Sequence, residues 1–276
     1  MNSFPKIFDS SSTVNDKDYF NKADGLWYCG KCHTPKERIT ENIGKHPVKC
    51  KCELDAIKQE EIELAESKRL KAIEEKRRKC FESDYDTYRY FTFDNADNKD
   101  TKVFKLCKRY ADRFGDMLDN KLDKNGLVLC GNFGTGKTYM SICIANAVID
   151  SEYSCLVTDF TSIYNGWYAS QDKQEYIERF KRYALLIIDD FAVQRDTATM
   201  IELIYSIINE RYKVKRPIII TTNLNPGELN NPKDQVKRRY YDRICELCYL
   251  FEVKGENRRK QKDLEKNYKM KEFYEN

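Results

Sequence analysis

The 276-residue chain has no long hydrophobic run. No stretch approaches the roughly 18 uninterrupted apolar residues that a membrane-spanning helix needs, so no membrane partner is expected. Charge of one sign is not in excess either. Lys and Arg number 49 against 45 Asp and Glu, a net charge of +4 that by itself names no partner. The opening "MNSFPKIFDSSSTVNDKDYF" lacks a basic start followed by an apolar core, so it does not read as a secretory leader, and a cytoplasmic location is expected. Internal repeats and low-complexity tracts are missing as well. Histidine is scarce, with two residues, but cysteine is abundant, with 11. Where thiols are kept reduced, such a count means metal ligands and buried packing residues more readily than disulfides.

Spacing sorts the cysteines. "WYCGKCHTPKERITENIGKHPVKCKCE" holds Cys29-x-x-Cys32 and Cys50-x-Cys52, two tight pairs that can place four thiolates on one tetrahedral ion. Zn2+ suits a soft, four-coordinate, redox-inert site. His33 or His46 could replace one cysteine, although four cysteines suffice. So small a module, with few aliphatic residues, is expected to fold only with its metal. Cys245-x-x-Cys248 has no second pair and reads as buried structure, as do the other scattered thiols.

The composition then divides the chain. Residues 1–20 read as a mobile arm, 21–54 as the zinc module, and 55–82 as a helical linker. The linker, from about Glu53 to Cys80, lacks Gly and Pro, and its basic half, Lys68 to Lys79, is open to an acidic partner. From residue 83 to 260, apolar strands alternate with helical segments. Helices are expected over about Val103 to Leu118, Tyr139 to Ile149, 161–183 and 197–212. Strands are expected at "GLVLC", 155–158, 185–188, 217–222 and 248–253. That alternation predicts an α/β domain with a buried parallel sheet. Residues 261–276 form a charged, basic tail that either contacts DNA or keeps a terminal helix soluble.

"GNFGTGKT", Gly131-Asn132-Phe133-Gly134-Thr135-Gly136-Lys137-Thr138, lies between a predicted strand and a predicted helix that continues with Tyr139. The pattern G-x-x-x-x-G-K-[ST] in that setting is a phosphate-binding P-loop. Its backbone N–H groups and helix N-terminus hold the phosphates of ATP, Lys137 reaches the β and γ groups, and the Thr138 hydroxyl ligates Mg2+. "LLIIDDF" delivers Asp189 at a strand's carboxyl end as the second Mg2+ ligand, with Asp190 placed to orient the attacking water. A helix cap or solvated acid is the plainer role for Asp190. "IIITTNLNP" ends another strand at Asn223, a candidate γ-phosphate sensor that is also good turn chemistry.

"GNFGTGKT", "LLIIDDF", "INERY", "RPIIITTNL" and "RRYYDRICEL", in this order, resemble the DnaC and DnaI helicase loaders and the related IstB transposition ATPases of the AAA+ class. The resemblance spans about Phe91 to Arg259. It implies an AAA+ P-loop domain with a five-stranded parallel sheet in the order 5-1-4-3-2, preceded by a zinc module. It also implies nucleotide held between subunits, hence a nucleotide-dependent homo-oligomer. Arg243 then corresponds to the arginine finger completing a neighbour's site, with Arg239 second, and a helix-surface salt bridge is the plainer alternative. Arg258, or equally Arg259, corresponds to a nucleotide-sensing arginine. The implied partners are a DnaB-type replicative DNA helicase and single-stranded DNA. A transposition helper acting on duplex DNA and a non-hydrolysing ATP-binding adaptor are the competing functions.

Overall fold

The computed structural model describes residues 17–81, 84–97, 99–191, 197–232 and 234–275. The expected arm, residues 1–20, therefore falls mostly outside the described residues. The chain divides into two compact units, residues 1–71 and 72–276.

In the first unit, β1 (Tyr19–Asn21) pairs antiparallel with β2 (Leu26–Tyr28), and β3 (Glu37–Thr40) pairs with β4 (Gly44–Pro47). Gly25 and Gly44 supply the left-handed residues that close both hairpins. The module starts earlier than its composition indicates. Asp18 accepts from Lys36 Nζ at 2.8 Å and from the Gly30 N–H at 3.0 Å, which draws residues 17–20 out of the expected arm. Helix α1 (Lys51–Phe81) begins in this unit and ends in the second. Of the expected linker, residues 72–81 pack within the second unit, where Ile73, Cys80 and Phe81 are buried.

The second unit is built on one parallel sheet of β5 (Gly126–Cys130), β6 (Cys155–Asp159), β7 (Leu185–Phe191), β8 (Ile218–Thr222) and β9 (Cys248–Glu252). The spatial order β6-β7-β8-β5-β9 is the expected 5-1-4-3-2 read from its other edge. Successive strand residues point to opposite faces. Leu127, Leu129, Leu185, Ile187 and Ile219 enter one core with the end of α1, α2 (Tyr85–Tyr88), α3 (Lys102–Asp112), α4 (Phe114–Leu118) and α5 (Lys137–Asp150). Val128, Leu186, Ile188, Ile218 and Ile220 enter the other with α6 (Phe160–Ala169), α7 (Lys173–Arg179), α8 (Ala198–Lys213), α9 (Pro226–Asn230) and α10 (Gln235–Leu247). With both faces covered, the strands carry continuous apolar runs instead of alternation.

Expected helices differ in detail. The single helix from Val103 to Leu118 is broken at Arg113 into α3 and α4. The stretch 161–183 is two helices, because Asp172 caps a new one by accepting from the Glu175 N–H at 2.8 Å. The tail is helical: α11 (Arg258–Glu275) runs without a break from the end of the expected 83–260 domain into it.

Candidate functional site

The glycine-rich loop sits between β5 and α5. Gly131, Gly134 and Gly136 have φ of 131°, 75° and 94°, values that side chains disfavour. A Cβ on Gly131 would also lie 2.6 Å from the Val253 carbonyl oxygen. Lys137, buried at the start of α5, donates to the Gly131 and Asn132 carbonyls at 2.8 Å each and to Asn223 Oδ1 at 2.9 Å. The loop and the end of β8 thus meet at one ammonium. Asn223 Nδ2 is buried and has no acceptor among the described residues.

The Thr138 hydroxyl donates to Asp189 Oδ1 at 3.0 Å, and the Thr221 hydroxyl donates to the same oxygen. Burial pushes the Asp189 carboxyl above its ordinary range, while the two hydroxyls act to lower it. β7 and β8 lose register between Ile188 and Phe191, a bulge at the acid pair. Asp190 takes a left-handed φ of 48° there, and its N–H is held by Thr221 Oγ1 at 3.0 Å. The bulge gives the acids separate tasks: Asp189 faces the hydroxyls, and Asp190 lines the open cavity beside the loop.

That cavity, about 400 Å3, is lined by Gly134, Lys137, Thr138, Asp190, Asn223 and Arg258. The Arg258 N–H donates to the Gly134 carbonyl at 3.0 Å, so the first residue of α11 is tied to the loop. Aromatic residues line it as well: Tyr88, Phe91, Phe133 and Tyr139, with Asp97. Phe91 lies 4.7 Å from Tyr139 and 5.5 Å from Tyr88, centroid to centroid, so these three rings form one wall. With polar groups and an aromatic wall together, the cavity fits a phosphorylated, base-bearing ligand.

Arg243 is not among the residues lining this cavity. On α10, its guanidinium lies over Tyr212 at 4.7 Å and Tyr205 at 5.7 Å. Arg239, the second candidate, is exposed on the same helix. The Arg259 side chain lies outside the described set.

In the first unit, the Sγ atoms of Cys29, Cys32, Cys50 and Cys52 all lie within 4.8 Å of one another. Tetrahedral Zn2+ with bonds of about 2.3 Å separates its sulfurs by about 3.8 Å. The Cys29–Cys52 and Cys50–Cys52 separations of 3.5 and 3.2 Å fall short of that and the widest lies within 4.8 Å, so the four sulfurs fit such an ion with small shifts. Hydrogen bonds from Thr34 and from the Cys52 backbone pull the Cys32 thiol down to about 5, toward the ligating thiolate. Cys50 and Cys52 stand at the N-terminus of α1, where the helix dipole favours thiolate, but burial pushes the Cys50 thiol up, so that ligand needs the charge of a bound ion to deprotonate. His33 and His46 are outside the cluster; His46 Nδ1 lies 3.0 Å from the Gly44 carbonyl.

The family model described as IstB-like ATP binding protein matches residues 59–266, more than half of the chain. The chain belongs to the IstB-like ATP-binding protein family. Among curated relatives, the replicative helicase loader DnaI of Bacillus subtilis is 28% identical over 181 residues, covering 61% of this chain and 58% of DnaI. A Mycobacterium tuberculosis insertion-sequence protein, named as ATP-binding, is 25% identical over 145 residues, covering 49% of this chain and 56% of its own length. The chain thus spans less than two thirds of either relative. The crystal structure of the DnaC helicase loader matches with a TM-score of 0.50 at 19% identity, covering 60% of this chain and 98% of that one, a likeness of fold alone.

Within this IstB-like frame, sequence reasoning missed Tyr88, Phe91, Asp97 and the pinning role of Thr221. The signal for the first three was "YRYFTFDNAD", an aromatic cluster ahead of a helix. It is indistinguishable from ordinary core packing until its distance from the loop is known.

Proposed function

We propose that this IstB-like protein is an ATP-dependent DNA replication factor that binds a DnaB-type replicative helicase and loads it onto single-stranded DNA, with ATP binding and hydrolysis as the switch. The observation that carries the reading is one chain with two sites: a P-loop cavity complete from Lys137 to Asn223, and a four-cysteine cluster in a separate unit. The similarity to DnaI supports the helicase as partner.

In this reading Lys137 and the loop N–H groups hold the phosphates of ATP, and Tyr88, Phe91 and Tyr139 flank the base. Thr138 and Asp189 hold Mg2+, which when bound offsets charge developing on the phosphate oxygens. Asp190 orients the attacking water. The buried Asn223 Nδ2, which has no acceptor among the described residues, donates to the γ phosphate or that water. Asp190 is one methylene shorter than glutamate, so water positioning depends on Asn223 as well, and slow, partner-governed turnover follows. Rapid turnover by the isolated protein would contradict that regulation.

Arg258 senses the bound nucleotide from the first turn of α11. Arg243 stands away from its own chain's cavity, which is the placement needed to complete a neighbour's site in a nucleotide-dependent homo-oligomer. The cysteine unit, holding Zn2+, is the helicase-binding end: it leaves Phe20, Ile39 and Ile43 exposed, apolar surface suited to a protein partner. Single-stranded DNA is held by lysines and arginines with aromatic stacking. The site of action is cytoplasmic.

A second reading, a transposition helper acting on duplex DNA, is favoured by the insertion-sequence relative. Steady-state ATP turnover separates the two. Single-stranded DNA should change turnover more than duplex, and the opposite preference would select the transposition helper. Turnover present in the wild type and lost in Lys137→Ala excludes a non-hydrolysing adaptor.

A further inference from the structure

Asn146 is a polar residue in the interior of the apolar helix α5, two turns beyond the phosphate-binding loop and 1% exposed. Its amide is fully committed. Nδ2 donates to the carbonyls of Tyr88 and Phe91, both at 2.9 Å, and Oδ1 accepts from Arg77 Nε at 2.9 Å. Tyr88 and Phe91 are two of the aromatic residues that wall the cavity. One side chain thus holds the backbone of that wall from behind and is itself held by the end of α1.

Arg77 is fixed in turn. Its other nitrogens donate to Glu74 Oε2 at 2.6 Å and to Asp150 Oδ1 at 2.5 Å, the latter at the far end of α5. One turn on, the Phe81 ring meets Tyr88 edge to face, with centroids 5.7 Å apart. The last turns of α1 therefore reach the wall by two routes, a polar one through Asn146 and an apolar one through Phe81. A buried amide with all its partners in place is costly to disrupt, so the wall and the helix end move as one body or not at all.

We propose that Asn146 and Arg77 are positioning residues coupling the seating of Ala72–Phe81 to occupation of the nucleotide cavity against its Tyr88–Phe91 wall. The coupling is reciprocal: a base packed on Tyr88 and Phe91 favours the seated helix, and a helix pulled from its seat weakens the base site. The inference rests on the nucleotide reading of the cavity and adds to it a route by which events on α1 change nucleotide affinity without touching the phosphate loop.

The test uses the full chain, with ADP·Mg2+ as one ligand and inorganic tripolyphosphate, which has no base, as the other. Asn146→Ala should weaken ADP about twentyfold and Arg77→Met about fivefold, within the range of measured couplings, while tripolyphosphate binding stays unchanged. The double variant should bind ADP no more weakly than Asn146→Ala, because both act through one route. In the wild type, ADP should slow amide exchange across residues 72–81, and Arg77→Met should lose that protection. Equal losses for ADP and tripolyphosphate would reveal a merely structural role and overturn the proposal. So would wild-type exchange at 72–81 that ignores ADP, a measurement that needs no variant to fold. Lys137→Ala separates the two levels. ADP binding that survives Lys137→Ala sinks the nucleotide reading itself, whereas binding lost there but intact in both Asn146→Ala and Arg77→Met sinks only this coupling.

Discussion

The two units solve the folding problem by opposite means. Across residues 17–50 the buried side chains are Cys29, Lys36 and Cys50, with no aliphatic residue among them. In the second unit two apolar layers close over both faces of a five-stranded sheet. The first has ligands where the second has a core. With Zn2+ at the four cysteines, as proposed, metal binding is the main term holding one unit, and hydrophobic burial is the main term holding the other.

The comparison breaks most visibly at the cysteines. Cys50→Ser should remove Zn2+ and unfold the first unit, since such sites supply about 10–16 kcal/mol to folding. Metal analysis and amide exchange would show the loss confined to that unit, with the melting of the second unchanged. The mirror experiment is Ile187→Ala, at a fully buried sheet position. It should cost about 2–5 kcal/mol in chemical denaturation of the second unit and leave the zinc content intact. Coincident unfolding of both units in either variant would mean that they are not independent.

A finer test lies at Asp189. Burial raises its pKa, so the folded state holds the charged carboxylate at a cost that the unfolded chain does not bear. Asp189→Asn should therefore raise the melting temperature of the nucleotide-free protein while lowering Mg2+-dependent turnover roughly a hundredfold or more. Because the folded carboxyl binds its proton more tightly than the unfolded one, acid stabilises the wild type relative to the variant. The gap in melting temperature should close as pH falls through the folded pKa, and a gap that widens would contradict the sign. The smallest effect is expected at Lys79→Ala, which breaks an exposed ion pair with Glu75 and should shift stability by no more than about 0.5 kcal/mol.

What could be read from the sequence followed the range of the interactions. The phosphate loop and the cysteine pairs are local, since glycines and thiols at fixed spacing dictate their own geometry. The sheet order came from the family resemblance and matches the observed order. The separate orientations of Asp189 and Asp190 were not legible, because they depend on a bulge set by pairing with β8. Asp18 was assigned to the arm because its partner, Lys36, lies in a different hairpin. Asn146 was hidden for the same reason: an amide in an apolar helix means little until Arg77, Tyr88 and Phe91 are seen around it. The end of α1 reads in the sequence as a basic stretch open to an acidic partner, yet Ile73, Cys80 and Phe81 are buried in the core of the second unit.

The division of labour between the units is tested most directly by retention of a replicative helicase from the same source on immobilised protein, compared across wild type, Cys50→Ser and Lys137→Ala with ATP or ADP. The wild type should retain helicase to an extent that depends on the nucleotide. Cys50→Ser should lose the helicase but still bind ATP, and Lys137→Ala should keep the helicase but lose the nucleotide dependence. Failure of the wild type to retain any replicative helicase in either nucleotide state would contradict the account.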